Sequence, residues 1–303
     1  MKKIIEQLDF VFATLTRTPI RIKKVHEKIL PIIQLFSPQS EISGDEFRAS
    51  ILMGGDLEFE TEEEISDVLN PILFLLPYMK TNLNLSIKGK NMSNGLDITK
   101  MVYLKVFKKF GLKIKMNFTR GINSRCTIFA QSTSKILQYR DSGREVTYSE
   151  IIALLISCND SSMKKLSSEI KKENEEMKIY KQKVNFEELS VLFIAKGKIN
   201  CFESFNPSNL NNLGENCVLA QKNFYKKING LVDVKLSWIF LSLMAMGPDK
   251  MTEINIRFGK KDEMEILLLK EYIEKYFQTK IRSKKDKVSV TGINLKNNSI
   301  GFK

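Results

Sequence analysis

The side chains that most often perform chemistry in proteins are scarce in this sequence. Histidine occurs once, as His26, with no carboxylate or cysteine spaced to make it a metal ligand or the base of a nucleophilic triad. Its lysine neighbours Lys23, Lys24 and Lys28 suit an ordinary surface histidine at a helix start. Cys126, Cys158, Cys201 and Cys217 are widely separated and form no CxxC pair, so buried, reduced thiols are expected and zinc is not. The phosphate-cradling patterns GxxxxGK(S/T) and GxGxxG are missing, as is the HExxH zinc helix. Carboxylates crowd the run TEEEISD, but there Thr61 and Glu64 have capping-box spacing, which predicts a helix start rather than metal or acid–base work.

What the chain has in quantity is positive charge. Its 303 residues carry 48 Lys plus Arg against 35 Asp plus Glu, a net +13 with histidine neutral, and only nine of the cations are arginine. Solvated lysine point charges favour a polyanion over a small acidic substrate. Four clusters stand out: Arg21, Lys23 and Lys24; Lys105, Lys108, Lys109, Lys113, Lys115, Arg120 and Arg125; Lys222, Lys226 and Lys227; and Lys280, Arg282, Lys284, Lys285 and Lys287. Charge of this kind binds phosphates without reading sequence, and lysine bias from an A+T-rich genome is the competing explanation for any one cluster. The 19 Phe fall mostly at core spacing, and no aromatic RNA-stacking motif is visible.

Elements that could position these residues come next. At 43% apolar residues the chain can fill an extensive core, which excludes a disordered tail protein. The longest largely apolar runs, Pro71 to Met79 and Trp238 to Met246, are nine residues each, about half of the ~20 that span a bilayer. Glu6 and Asp9 interrupt the apolar part of MKKIIEQLDFVFATL, so a signal peptide is not expected and the reading is a cytosolic or nuclear protein with no membrane partner.

One pattern occurs three times: an apolar helix, a polar turn and an alternating strand with basic residues, as in FVFATLTRTPIRIKK, ILFLLPYMKTNLNLSIKGK and IFLSLMAMGPDKMTEINIRFGK. Ile20 and Ile22, then Leu83, Leu85 and Ile87, then Ile254, Ile256 and Phe258 alternate with period two, which means one buried face and one wet face. A second helix and strand follow in VYLKVFKKFGLKIKMNF and LLLKEYIEKYFQTKIRSKK, and more weakly in ILPIIQLFSPQSEIS. Asp97 is placed to cap the best of these helices and Gly111 to end it. Candidate closing strands are Phe47 to Met53 and Leu57 to Glu60, Ile114 to Phe118 and Thr127 to Ala130, and Val288 to Leu295 and Ile300 to Phe302. Each unit is expected to be a sheet with two helices on one face.

The third copy is displaced by an insertion of different composition, from about Arg140 to Cys217. It contains a mixed-charge helix through KKLSSEIKKENEEMKIYKQK, whose balanced charges suggest a solvated face, and a hairpin of Leu189 to Ala195 with Ile199 to Phe205. The expected domains are a repeat domain of residues 1–139 and 218–303, with units at about 1–66, 67–139 and 218–303, and a small inserted domain at 140–217.

Several stretches carry a resemblance. ATLTRTPIRIKKV, MGGDLEFE, DITKMVYLKVFKKFGL and LGENCVLAQKNFYKKINGLVDVKLSWIFLSLMAMGPDKMTEINI resemble the RNA 3'-terminal phosphate cyclase family over most of residues 1–140 and 210–285. The resemblance implies an α+β (α/β) fold of three repeated units, each a four-stranded sheet with two helices, plus a small inserted α/β domain. Cyclases of that family transfer AMP from ATP to a histidine in the third unit, because an imidazole nitrogen is nucleophilic near neutral pH. The matching position here is Lys235. Lysine can form an adenylate only with its pKa lowered, and nothing in DVKLSW suggests that.

The pattern VDxxxSxxxLxLMxxG, through Val232, Asp233, Ser237, Leu241, Leu243, Met244 and Gly247, looks more like the family's nucleolar, non-cyclising branch. The chain departs from the family in having no glycine segment before Glu6 and in carrying RGINSRC where a glycine-rich turn is usual. Lost glycines remove close backbone approach to phosphates. The resemblance therefore implies a factor of early small-subunit ribosome assembly in the nucleus and nucleolus. It would have no cofactor and no catalytic residue, Lys235 being a degenerate nucleophile position. Its partners would be the large nucleolar GTPase of the small-subunit processome, pre-rRNA and small nucleolar RNP. The alternative is an active cyclase or another adenylyl-transfer RNA-end enzyme using Lys235; an enolpyruvyl-transferase-like enzyme has only fold analogy behind it.

Overall fold

The computed structural model describes residues 2–139, 148–197, 201–205, 213–227, 232–256, 262–284 and 287–299. The first unit runs α1 (Lys2–Thr16), β1 (Ile20–Arg21), α2 (Leu30–Phe36), β2 (Glu41–Ser43) and β3 (Glu46–Arg48), with strand order β1-β3-β2. The second runs β4 (Gly55–Glu64), α3 (Ile65–Ile72), β5 (Leu83–Asn91), α4 (Gly95–Ile98), α5 (Leu104–Lys109), β6 (Ile114–Phe118) and β7 (Gly121–Ala130), in the order β4-β5-β7-β6. A π-helical turn, Thr99–Tyr103, joins α4 to α5.

The insertion supplies β8 (Tyr148–Ser157), α6 (Asp160–Glu173), β9 (Lys178–Lys183), β10 (Leu189–Gly197), β11 (Cys201–Phe205) and α7 (Leu213–Lys227), with order β11-β10-β8-β9. The third unit has α8 (Ser237–Met246), β12 (Met251–Asn255), α9 (Glu263–Phe277), β13 (Ile281–Lys284) and β14 (Lys287–Thr291), ordered β12-β14-β13. A single parallel bridge between Val232 and Ile256 stands where β4 pairs with β5 in the second unit. The three units thus share the strand order of β5-β7-β6, and among the described residues the first has no counterpart of β4.

Helices α1 and α8 lie inside, and each repeat's sheet has an outer face. Every residue of α8 is buried, as are Ile5 and Gln7 through Thr14 of α1. Along β4, β7 and β12 burial alternates, so each sheet keeps one wet face. The three units meet at aromatic rings: Phe12 of the first lies 6.0 Å from Phe74 of the second and 4.9 Å from Phe277 of the third, and Phe74 lies 5.7 Å from Trp238. Tilted and edge-on pairs of this kind contribute about 0.5–1.5 kcal/mol each beyond burial.

The inserted sheet is covered on both faces. Ala153, Leu155, Val191 and Phe193 join Leu166, Ile170 and Phe224 in a small core of their own, while Ile152, Leu192, Ile194 and Phe202 belong to the large core of the repeats. That accounts for the near-continuous apolar run of β10. Helix α7, which straddles residue 217, contributes Leu213, Cys217 and Phe224 to the small core.

Several local expectations are corrected. Leu57 to Glu60 does not close the first sheet: it lies in β4, parallel to β5 of the second. The TEEE run continues that strand to Glu64, and Thr61 Oγ1 accepts from Glu63 N at 3.1 Å instead of capping a helix. Its acids alternate between faces, so a strand satisfies them in water as readily as a helix N-terminus would. Asp97 caps nothing but faces Arg120, whereas Gly111, at φ +80°, does end α5 with a left-handed turn. The mixed-charge helix stops at Glu173, because Lys178–Lys183 is recruited as β9, parallel to β8. Residues 47–53 contribute only Phe47 and Arg48 to a strand, β14 ends at Thr291, and RGINSRC opens β7 rather than forming a turn. Ile199, Phe258 and Ile300 to Phe302 lie outside the described residues. His26 is fully buried, not on the surface, and Cys158 is exposed, unlike the other three cysteines.

Candidate functional site

The position matched to the family nucleophile lies where the insertion meets the third unit. Asp233 caps a single 3-10 turn, Val234–Leu236, by accepting from Lys235 N at 2.9 Å, which fixes the direction in which the lysine leaves the backbone. Lys235 Nζ is 3.2 Å from Glu203 Oε2 and 5.2 Å from the Phe202 ring centroid, both on β11. Cys201 Sγ lies 3.6 Å from Asp233 Oδ2, and Tyr103 packs edge-on to both Phe202 and Trp238. Burial pushes the Tyr103 and Tyr148 hydroxyls up, with the Asp233 charge adding to both. An ammonium held between a carboxylate and an aromatic face is arranged as an ion pair with a cation–π contact. An amine attacking phosphorus must instead be neutral and face an open site.

His26 is not placed to act as a nucleophile. It stacks on Phe10 at 4.9 Å, its Nδ1 accepts from Lys23 N at 3.2 Å, and burial lowers its pKa to about 4. Cys126 and Cys217 are also inert, since burial raises both thiols to about 12. Among the described residues no cluster of three or more His, Cys, Asp or Glu could hold a metal ion, and no helix is long and apolar enough to cross a membrane.

The basic clusters separate into tied and free cations. In the first, Lys23 bonds Asp9 at 2.6 Å and Arg21 bonds Asp45 at 2.8 Å, leaving Lys24 exposed. The second holds the free cations: Lys105, Lys108 and Lys109 on α5, Lys113, and Lys115 on β6 are exposed, and none makes an ion pair with a described residue. Arg125 reaches Glu58 at 3.5 Å. Arg120 is a correction to the phosphate-binding set: its side chain is only 5% exposed, paired to Asp97, 3.7 Å from Glu188 and bonded to Ser93 O at 3.1 Å. Its fork is spent on joining the second unit to the insertion.

Lys222 pairs with Glu173 at 3.5 Å, and Lys226 is exposed. In the fourth cluster Lys280 and Arg282 are exposed, Lys287 bonds Glu253 at 2.5 Å, Lys284 ends β13, and Lys285 lies outside the described residues. Because α5–β6 and α9–β13 occupy equivalent places in their units, the two richest clusters fall on corresponding surfaces. Sequence reasoning missed the carboxylates Glu203 and Glu188, which are brought in from the insertion and carry no local signal. A family model described as RNA 3'-terminal phosphate cyclase matches residues 34–282. No curated protein matches the chain.

Proposed function

The chain belongs to the RNA 3'-terminal phosphate cyclase family, and from that premise we propose that it represents the non-cyclising branch: a scaffold of the small-subunit processome, acting in early pre-rRNA processing in the nucleolus. The observation that carries this reading is the state of the nucleophile position. Lys235 is engaged by Glu203 and Phe202, and the chain's one histidine is sealed into the first unit. With no nucleophile available there, the fold's remaining asset is its surface. Five exposed lysines between Lys105 and Lys115, none in an ion pair with a described residue, favour the phosphates of pre-ribosomal RNA. The large nucleolar GTPase of the processome is the protein partner in this reading.

Affinity purification of the tagged protein tests it directly, with that GTPase, pre-rRNA and small nucleolar RNP expected in the eluate. Recovery without ribosome precursors rejects the assembly role. Affinity for RNA should fall with salt at a slope on the order of −0.7 per phosphate contacted, so a flat response removes the electrostatic part. Incubation with labelled ATP should leave the protein unlabelled; an alkali-stable, acid-labile label, as a phosphoramidate gives, that is lost in Lys235→Ala would install the adenylyl-transfer reading instead.

A further inference from the structure

We infer that the open face of the second sheet is a binding platform for single-stranded RNA, with Phe129 as its stacking residue. This rests on the RNA-binding part of the function proposed above and adds to it a location, a strandedness and a non-electrostatic contact.

Strand register places complementary groups side by side on that face. Cys126, Ile128 and Ala130 of β7 point into the core, which turns Arg125, Thr127 and Phe129 outward. Phe129, 37% exposed, stands directly between Asn84 of β5 and Lys115 of β6. In the next outward row Thr127 lies between Ser86 and Asn117. Together these six residues line one groove. An aromatic face flanked by amides, hydroxyls and a cation can stack one base, hydrogen-bond its neighbour and hold the intervening phosphate.

The charges give the strand a preferred path. On the β4 side, Asp56 and Glu58 repel phosphate; Asp56 accepts from Asn84 Nδ2 at 2.7 Å and Glu58 lies 3.5 Å from Arg125. The opposite edge, β6, presents Lys115 outward, preceded by the exposed Lys113 and with Lys100 Nζ 3.4 Å from Asn117 Oδ1. A sugar–phosphate chain therefore runs along β6 with its bases laid inward over Phe129 and Thr127. A duplex hides its base faces and cannot use the aromatic ring. The equivalent faces of the other two repeat sheets offer no such ring among the described residues: the first carries Arg21, Glu46 and Arg48, the third Glu253, Ser289 and Thr291, while in the inserted sheet the exposed ring, Tyr180, is engaged by Lys196 at 5.9 Å.

The test compares a short single-stranded RNA with its duplex on the full chain, using wild type, Phe129→Ala, Phe129→Tyr and the double variant Lys108→Gln/Lys109→Gln, with urea midpoints as fold controls. We expect Phe129→Ala to weaken single-strand binding by about tenfold or more with an unchanged salt slope, and Phe129→Tyr to restore it, since stacking on one aromatic contributes about 1–3 kcal/mol per base. The duplex should be indifferent to Phe129. If Phe129→Ala binds like wild type while the double lysine variant is weakened, the platform is overturned and the electrostatic reading stands. If wild type binds no RNA even at low salt, both fall. Loss of a co-purifying protein in Phe129→Ala, with RNA affinity intact, assigns the face to a protein and likewise overturns the inference.

Discussion

Two ion clusters tie this molecule together, and they are built on opposite charge ratios. Between the first and third units, the single carboxylate of Asp9 is met by Lys23 at 2.6 Å, Tyr276 Oη at 2.6 Å and Lys275 at 3.3 Å. Burial pushes that carboxyl up, but hydrogen bonds from Lys23 and Tyr276 and the charges of both lysines more than reverse it, and it sits below its usual range. Between the second unit and the insertion, two carboxylates, Asp97 and Glu188, share the one guanidinium of Arg120. There burial wins, and both carboxyls are raised in spite of the arginine. The number of cations per buried acid, more than depth alone, sets the sign.

The ratio predicts how each junction fails. Arg120→Met should have the largest effect, about 3–5 kcal/mol lost in urea unfolding, because it strands two buried carboxylates. Adding Asp97→Asn and Glu188→Gln should recover part of that loss; no recovery would mean that the guanidinium's packing, not its charge, holds the insertion.

On the other side, His26 shares the Asp9 neighbourhood, and its pKa is lowered from 6.5 to about 4. The unfolded chain then binds a proton that the folded one refuses, so stability is lost as pH falls from 6.5 toward 4, by up to about 3 kcal/mol at 1.36 kcal/mol per pH unit. A urea series across that range in wild type and His26→Phe measures it, and parallel curves would reject the account.

Asp9→Asn should cost about 1–3 kcal/mol, less than Arg120→Met, since the lysines it releases are half exposed and return to water while Tyr276 exchanges a charged acceptor for an amide oxygen. The smallest effect is the sharpest comparison. Asp9, depressed below 3.8, contributes stability that is lost only as pH falls beneath that value. Asp97 and Glu188, raised above 3.8 and 4.5, contribute stability that is full below those values and lost as pH rises through their folded pKa values. Hydrogen exchange on α1 and on β10 should therefore shift in opposite directions between acid and neutral pH, and a common direction would contradict the ratio argument.

Much of the frame was legible in the chain because it is local. Period-two alternation in LNLSIKG and the glycine after VFKKF predict a strand and a helix end, and both are present as β5 and the turn at Gly111. The threefold repeat was readable for the same reason. What failed depended on partners distant in sequence. His26 looked like a surface residue among lysines until Phe10 covered it, and Arg120 looked like a phosphate ligand until Asp97 and Glu188 enclosed it. TEEE obeyed a helix rule, yet the parallel neighbour β5 claimed it as strand. At the candidate site, Lys235 is singled out only by resemblance, and Glu203 and Phe202, which come from the insertion, could not be anticipated from the lysine's surroundings in sequence.

Helix α8 has no side that meets water. During synthesis it leaves the ribosome only after the first two units and the insertion have been made, and until then the surface it will cover, beside α5 and lined by Phe74, Tyr103 and Phe110, stands open. A chain interrupted before residue 232 is thus not a smaller working protein but a sticky vessel missing its stopper, a ready client for chaperones and proteases.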